Sequence, residues 1–190
     1  MDYLLQLTYT PLRQLTLLCR TRYEQQFANR SQSTQVTAMI ERNDKIAFRL
    51  QSVYETGILK FKQQIDANIL HKEHIAPTCG ITVLQEVGVR FRKWPLNIDF
   101  SYLFFDVQVY NNRIYLYEKN ILYAFSIPAF SGIGSRYYVN FRYDFNNTIS
   151  CWLRYAGILY MDGREAIGSG NEMIAGNRKS EINCLIRLKF

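Results

Sequence analysis

Long runs of residues that alternate between apolar and polar side chains dominate this sequence. In the last run, Ile182, Cys184 and Ile186 alternate with Asn183 and Arg187. Side chains of a β-strand point to opposite faces with a period of two, so each run predicts a strand with one apolar and one polar face. The runs are about 9 to 13 residues long, whereas strands of globular proteins average about 5 to 6 residues. A strand that crosses a membrane at a tilt of about 45° needs about 9 to 11 residues. The pattern therefore predicts an all-β protein, an antiparallel up-and-down transmembrane β-barrel.

The connections between these runs alternate between short and long, as they do in transmembrane barrels. We predict tight turns at residues 10–11, 56–57, 94–95 and 146–147, and longer polar loops at residues 25–44, 71–80 and 162–179. Residues 113–125 fit either one long strand or two strands with a turn between them. The barrel is therefore predicted to contain about ten or eleven strands.

Composition narrows the alternatives. The 190 residues suit one domain, and we assign residues 1–190 to a single barrel. A content of 48% hydrophobic and 15% aromatic residues excludes a disordered chain. No run of about 18 apolar residues is available for a transmembrane helix. The net charge of +7 suits an anionic membrane surface, an anionic solute or a nucleic acid, and does not choose among them.

The start of the chain bears on whether the barrel is complete. The first residues do not form a secretory signal peptide, although a transmembrane β-barrel protein must be exported. Met1 falls inside or at the edge of a strand-like run. Eleven strands would also be an odd number for a complete bacterial barrel. We therefore expect the chain to be the C-terminal part of a larger barrel, truncated at its N-terminus.

Charged residues on the polar sides of the strands are the candidate functional residues. If the apolar sides face lipid, these charges face the interior of the barrel. The candidate lumen-facing residues are Arg49, Glu86, Arg90, Arg92, Asp99, Arg136, Arg142, Asp144, Arg154 and Arg187. They can form a rigid plug of salt bridges or the wall of a pathway selective for anions. We favour the plug, because about eight strands already give an interior that side chains can fill.

No motif for catalysis or for cofactor binding is evident. His71 and His74 could share a metal ion, but the sequence offers no third ligand. The four cysteines contain no CxxC pair, and the glycine-rich residues 167–170 lack the βαβ setting of a phosphate-binding loop. We therefore predict no enzyme activity, no cofactor and no metal.

The C-terminus and several internal segments resemble known proteins. The final strand ends in Leu188, Lys189 and Phe190, which resembles the C-terminal targeting signal that the barrel-assembly machinery reads, with Phe190 as the signal residue. The segments that carry a wider resemblance are residues 3–11, 20–24, 113–118, 122–130, 167–170 and 176–181. They resemble the C-terminal barrel of Gram-negative outer-membrane proteins described as helix-hairpin-helix domain-containing.

In that family a small helical motif of the DNA-binding type precedes a long barrel. Nothing in this chain matches the motif, so no nucleic-acid partner is expected for this segment. The resemblance implies an outer-membrane location, with membrane lipid and the barrel-assembly machinery as partners. It leaves the molecular function and the oligomeric state open.

Three interpretations of function follow. The favoured one is an outer-membrane barrel with an anchoring, transport or assembly role. The second is a soluble, lipocalin-like barrel that binds an apolar ligand and turns its apolar residues inward. The third is a basic β-protein that binds nucleic acid, although its Arg and Lys residues are scattered rather than grouped with stacking aromatic residues.

Overall fold

A computed structural model describes residues 1–29, 40–73, 75–168 and 170–189. The strands of this described part are β1 (Asp2–Leu12), β2 (Leu15–Asn29), β3 (Ile40–Glu55), β4 (Leu59–Lys72), β5 (Ile75–Arg90), β6 (Leu96–Val107), β7 (Ile114–Tyr115), β8 (Ala129–Phe130), β9 (Gly132–Asp144), β10 (Ile149–Tyr160), β11 (Ala166–Ile167), β12 (Ile174–Ala175) and β13 (Arg178–Leu188). Two short 3-10 helices, Tyr110–Asn112 and Gly170–Glu172, complete the elements. No helix in these ranges is long and apolar enough to cross a membrane.

The nine long strands form one antiparallel sheet in the order β1-β2-β3-β4-β5-β6-β9-β10-β13. Each long strand therefore pairs with the long strand next to it in the chain, which confirms the all-β, antiparallel, up-and-down prediction. The sheet has nine strands rather than ten or eleven. Its edges are β1 and β13, and no pairing closes these edges into a barrel within the described residues. Because every neighbouring pair is antiparallel, β1 and β13 run in the same direction.

Short turns at one end of the sheet are shaped by side chains. The Thr56 hydroxyl accepts hydrogen bonds from the backbone N–H groups of Ile58 (3.3 Å) and Leu59 (2.9 Å). The Asn146 side-chain oxygen accepts from the N–H groups of Thr148 (2.9 Å) and Ile149 (2.7 Å). Such bonds replace the ladder hydrogen bonds that the backbone loses in a tight turn. The turns predicted at residues 56–57, 94–95 and 146–147 are confirmed, whereas the first turn follows Leu12 rather than residue 10.

The prediction of a long polar loop at residues 71–80 is wrong. Strand β4 continues to Lys72, and β5 begins at Ile75. Cys79 pairs with Ile69 across the two strands, and its N–H donates to the side-chain oxygen of Gln108 at 2.8 Å. These partners provide strand pairing and a hydrogen bond for the backbone at Cys79, in spite of the loop-like composition around Pro77.

The sheet has an apolar face and a polar face. Phe48, Ile65, Val83, Phe104 and Leu153 lie on the apolar face and are 37–43% exposed. The polar face contains buried residues from four strands: Gln64, Asp66, Thr82, Glu86, Ser101 and Arg154. The period of two in the sequence therefore sorts large apolar side chains outward and charged ones into buried positions.

The connection between β6 and β9 folds back over the polar face. Its residues 114–130, here the inserted hairpin, pair Ile114 with Phe130 through β7 and β8. Below the hairpin, β6 pairs directly with β9. The prediction of one or two sheet strands in residues 113–125 is therefore wrong.

The alternation in this segment is real, but its apolar side packs on the sheet. Ile114, Leu116 and Phe130 are 0–3% exposed. Together with sheet residues they form the apolar core, which consists of Leu84, Leu103, Phe105, Val107, Ile114, Leu116 and Phe130. The hairpin is thus a second layer that covers β5, β6, β9 and β10, whereas most polar-face residues of β1 to β3, here called the open half, stay partly or fully exposed.

Candidate functional site

A cluster of buried ion pairs lies where the inserted hairpin meets β9, β10 and β13. Glu118, from the hairpin, accepts hydrogen bonds from Arg136 (2.6 Å) and from Arg154 (2.6 Å). Glu181, on β13, also accepts from Arg136 (2.9 Å) and Arg154 (2.5 Å). Arg154 is 0% exposed and Glu118 is 5% exposed. Two arginines therefore face two carboxylates, and the cluster balances its own charge.

Lys119 forms a second cluster beside the first. Its ammonium group lies 2.5 Å from Glu86 and 2.7 Å from Asp99. The Tyr138 hydroxyl donates to Glu86 at 3.1 Å, and the Asn140 amide donates to the Lys119 carbonyl at 3.0 Å. Burial by itself lowers the pKa of Lys119, but the carboxylates of Glu86 and Asp99 outweigh it and raise the pKa above its ordinary value. Lys119 therefore fixes the hairpin to β5 and β6 through its ammonium group and to β9 through its backbone carbonyl.

A third group lies nearer the short-turn end of the sheet. Arg142 pairs with Asp144 at 3.1 Å. The guanidinium carbons of Arg142 and Arg187 lie 5.3 Å and 5.2 Å from the centre of the Trp152 ring. Both distances are in the range of a cation–π interaction.

The open half of the polar face carries a different arrangement. The strand register places Arg20 of β2 directly opposite Arg49 of β3. Arg49 forms an ion pair with Asp66, whereas Arg20, among the described residues, donates only to the neutral side chain of Gln6, at 2.8 and 2.6 Å. These strands and Arg113, at the base of the hairpin, line an open cavity of about 330 Å³.

The predicted site residues are thus divided among several places. Glu86, Asp99, Arg136 and Arg154 come together under the inserted hairpin. Arg142, Asp144 and Arg187 gather near Trp152, and Arg49 lies in the open half.

Arg90 and Arg92 stand apart from these clusters. Arg90 ends β5 with a 64% exposed side chain, 3.7 Å from Glu55, and Arg92 is exposed in the following turn. Phe190 and His74 lie outside the described residues. No metal-binding group of three or more ligands occurs among the described residues.

Glu118, Lys119 and Glu181 were missed as site residues. Glu181 was visible on the polar side of the last strand, but nothing local distinguished it from other surface carboxylates. The excess of arginines among the candidate interior residues was the usable signal, because buried arginines require carboxylate partners. Comparison with protein families, with curated proteins and with solved structures found no match to this chain.

Proposed function

We propose that this chain is a membrane-spanning part of an outer-membrane β-barrel protein, without catalytic activity, in which the inserted hairpin plugs the interior. The observation that carries the proposal is the direction of the two faces. Large apolar side chains are exposed on one face of nine long strands, while arginines and carboxylates are buried on the other. In water this arrangement is unfavourable, because exposed apolar area is costly. Against hydrocarbon it is the expected one.

The lengths of the strands support the same proposal. The shortest strands of the sheet, β1 and β13, have 11 residues, and a tilted strand needs about 9 to 11 residues to cross the apolar layer of a membrane. Exposed rings accompany the short-turn end: Tyr9 and Phe145 are 66% and 63% exposed. Aromatic side chains of this kind favour the boundary between lipid and water.

The buried ion pairs support a structural role for the interior. Lys119, Arg136 and Arg154 each have a carboxylate partner at 2.5–2.6 Å, so the charges of these three cations are already balanced by the protein. A plugged barrel serves to anchor or to assemble rather than to conduct through that half. The lipocalin-like alternative requires inward apolar residues, and the exposure of Phe48, Ile65 and Leu153 argues against it.

Lipid quenching of tryptophan fluorescence tests the proposal. In the first variant, Trp94→Phe leaves Trp152, which is 8% exposed on the polar face, as the single tryptophan. In the second, Phe48→Trp is added and both native tryptophans are changed to Phe, so the single tryptophan lies on the apolar face. After refolding into vesicles with brominated acyl chains, we expect strong quenching of Trp at position 48 and little quenching of Trp152.

Two outcomes would contradict the proposal. Equal quenching of both positions would show that the apolar face does not meet lipid. A chain that folds and stays monomeric without detergent or lipid would favour the soluble alternative.

A further inference from the structure

We propose that the open half of the polar face is a binding site for small phosphate-type oxyanions, held by Arg20, Lys45 and Arg113. The site is the open cavity of about 330 Å³ between β2 to β4 and the base of the inserted hairpin. Such a volume lies at the small end of the range for ligand sites, about 300 to 1,000 Å³. The proposal goes beyond the plug, because it concerns the half of the face that the hairpin leaves uncovered.

Charge balance is the first argument. Two carboxylates, Glu24 and Asp66, line the cavity against five cationic side chains. Arg49 has an ion pair with Asp66, and the Arg22 side chain lies 2.6 Å from Asp2. Among the residues that the structure describes, no carboxylate oxygen lies within 4.0 Å of the charged nitrogens of Arg20, Lys45 or Arg113. A bound anion would supply the missing negative charge.

The strand register is the second argument. Arg20 and Arg49 are direct partners on β2 and β3, and like charges placed opposite each other destabilise a pair of strands. Asp66 neutralises Arg49, but within the described part of the chain Arg20 donates only to the neutral side chain of Gln6. An oxyanion beside Arg20 would relieve this repulsion and accept hydrogen bonds from the guanidinium group.

Positioning of the donors is the third argument. The guanidinium carbon of Arg113 lies 4.5 Å from the centre of the Tyr110 ring and 5.4 Å from that of Tyr115. The Tyr115 hydroxyl accepts a hydrogen bond from Arg113 at 2.5 Å. Lys45 donates to the Arg113 carbonyl at 3.3 Å, which ties the hairpin base to β3. The cations therefore stand on two walls in restrained positions before any ligand arrives.

The donor set indicates the ligand class. A guanidinium presents a planar fork that matches two oxygens of a phosphate, and an ammonium adds a compact point charge. Two guanidinium groups and one ammonium group suit a doubly or triply charged oxyanion better than a chloride ion. The phosphate can belong to a free solute or to a lipid headgroup.

Titration of the full chain with inorganic pyrophosphate, in a neutral detergent at low salt, tests the proposal. We expect saturable binding, followed by ³¹P NMR, that weakens as salt screens the charges. Arg20→Gln should weaken binding by about tenfold, a loss of the size given by one charge-assisted hydrogen bond. The matched control is Arg92→Gln, which removes an exposed arginine outside the cavity and should bind as the unmodified chain does.

Further measurements identify the source of the phosphate and check that each variant is folded. Competition by short-chain phosphatidic acid supports the site with a lipid headgroup as its ligand, and lack of competition supports it with a free oxyanion. Near-UV circular dichroism checks the fold of each variant, and Arg20→Lys offers a charge-conserving substitute if Arg20→Gln does not fold. Absence of pyrophosphate binding, or equal affinity for Arg20→Gln and Arg92→Gln, overturns the proposal. Neither result depends on the lipid-quenching experiment, so the two proposals fail separately.

Discussion

The two halves of the polar face hold the same kinds of charged side chain but neutralise them differently. Under the inserted hairpin, Arg136, Arg154 and Lys119 each have a carboxylate at 2.5–2.6 Å. On the open half, Arg20 and Lys45 have no such partner among the described residues. The hairpin makes the difference, because it buries the first set and supplies Glu118 at the same time. Burial and neutralisation go together, since an unpaired buried charge costs several kcal/mol while an exposed one keeps its water.

The largest effect should follow from Glu118→Gln, which keeps the shape of the side chain and removes its charge. Arg136 and Arg154 would then share Glu181 alone, and breaking a buried ion pair costs about 3–5 kcal/mol. Urea unfolding in detergent micelles, followed by far-UV circular dichroism, measures this loss. The control is Glu24→Gln in the open half, for which we expect less than about 1 kcal/mol. Equal losses of stability in the two variants would show that the carboxylates of the two halves contribute equally to folding, contrary to the comparison above.

Gly132→Ala should have the second largest effect. Gly132 joins the hairpin to β9 with a φ of +84°, and an added Cβ would collide with the side chains of Asp162 and Arg164. We expect a loss of about 1–3 kcal/mol, the range for a non-glycine residue held in a strained conformation.

Gly163→Ala separates these two causes. Gly163 has a similar φ of +77°, but no atom of the described residues lies within 4 Å of an added Cβ. This control should lose only the conformational part, so its unfolding midpoint should lie between those of Gly132→Ala and the unmodified chain. A loss in Gly163→Ala as large as in Gly132→Ala would show that the collision is unimportant.

Arg20→Gln should have a small effect on stability in the absence of anions. The change removes the Arg20–Arg49 repulsion, and pairs of this kind contribute about 0.2–1 kcal/mol. We expect the free energy of unfolding to stay the same or to rise by an amount in that range. A loss approaching that of Glu118→Gln would show that the two halves depend equally on their arginines.

The smallest effect is a pH dependence in the connection between β10 and β13. A hydrogen bond from Arg164 lowers the pKa of Asp162 below its ordinary value of 3.8. The stabilisation from this pair is therefore complete above pH 3.8 and is lost as the pH falls through the lower, folded-state pKa. NMR titration of the Asp162 carboxyl carbon measures the pKa directly. Titration at or above 3.8 in the folded chain would contradict the expected direction, and Arg164→Gln should return the pKa toward 3.8.

The alternation of side chains predicted the nine long strands and their antiparallel order, but not all of their ends, since β4 and β5 extend into residues 71–80 where a loop was predicted. Long runs such as Ile182 to Leu188 fit a strand with one apolar face and nothing else, and consecutive antiparallel strands follow from the short turns between them. The same pattern misled at Ile114, Leu116 and Glu118. Alternation reports that one side of an extended segment is buried, but it does not say which element buries it.

The candidate site was predictable only in its sheet-borne part. Glu86, Asp99, Arg136 and Arg154 follow from the polar side of each strand, since alternation fixes the face on which a side chain lies. The partners Glu118 and Lys119 depend on a long connection folding back over the sheet. No local pattern predicts that return, because the apolar contacts that hold it join residues distant in the sequence, such as Phe105 and Phe130, whose rings lie 5.1 Å apart.

The common direction of β1 and β13 has a consequence for any complete cylinder built from this sheet. If β1 and β13 paired directly, the pair would have to be parallel, with evenly spaced, slanted hydrogen bonds. One additional strand, or any other odd number of them, would make every seam antiparallel and bring the total to an even number. A sheet of nine strands can therefore close on itself only through a parallel pair, and closure through antiparallel pairs alone requires an odd number of added strands.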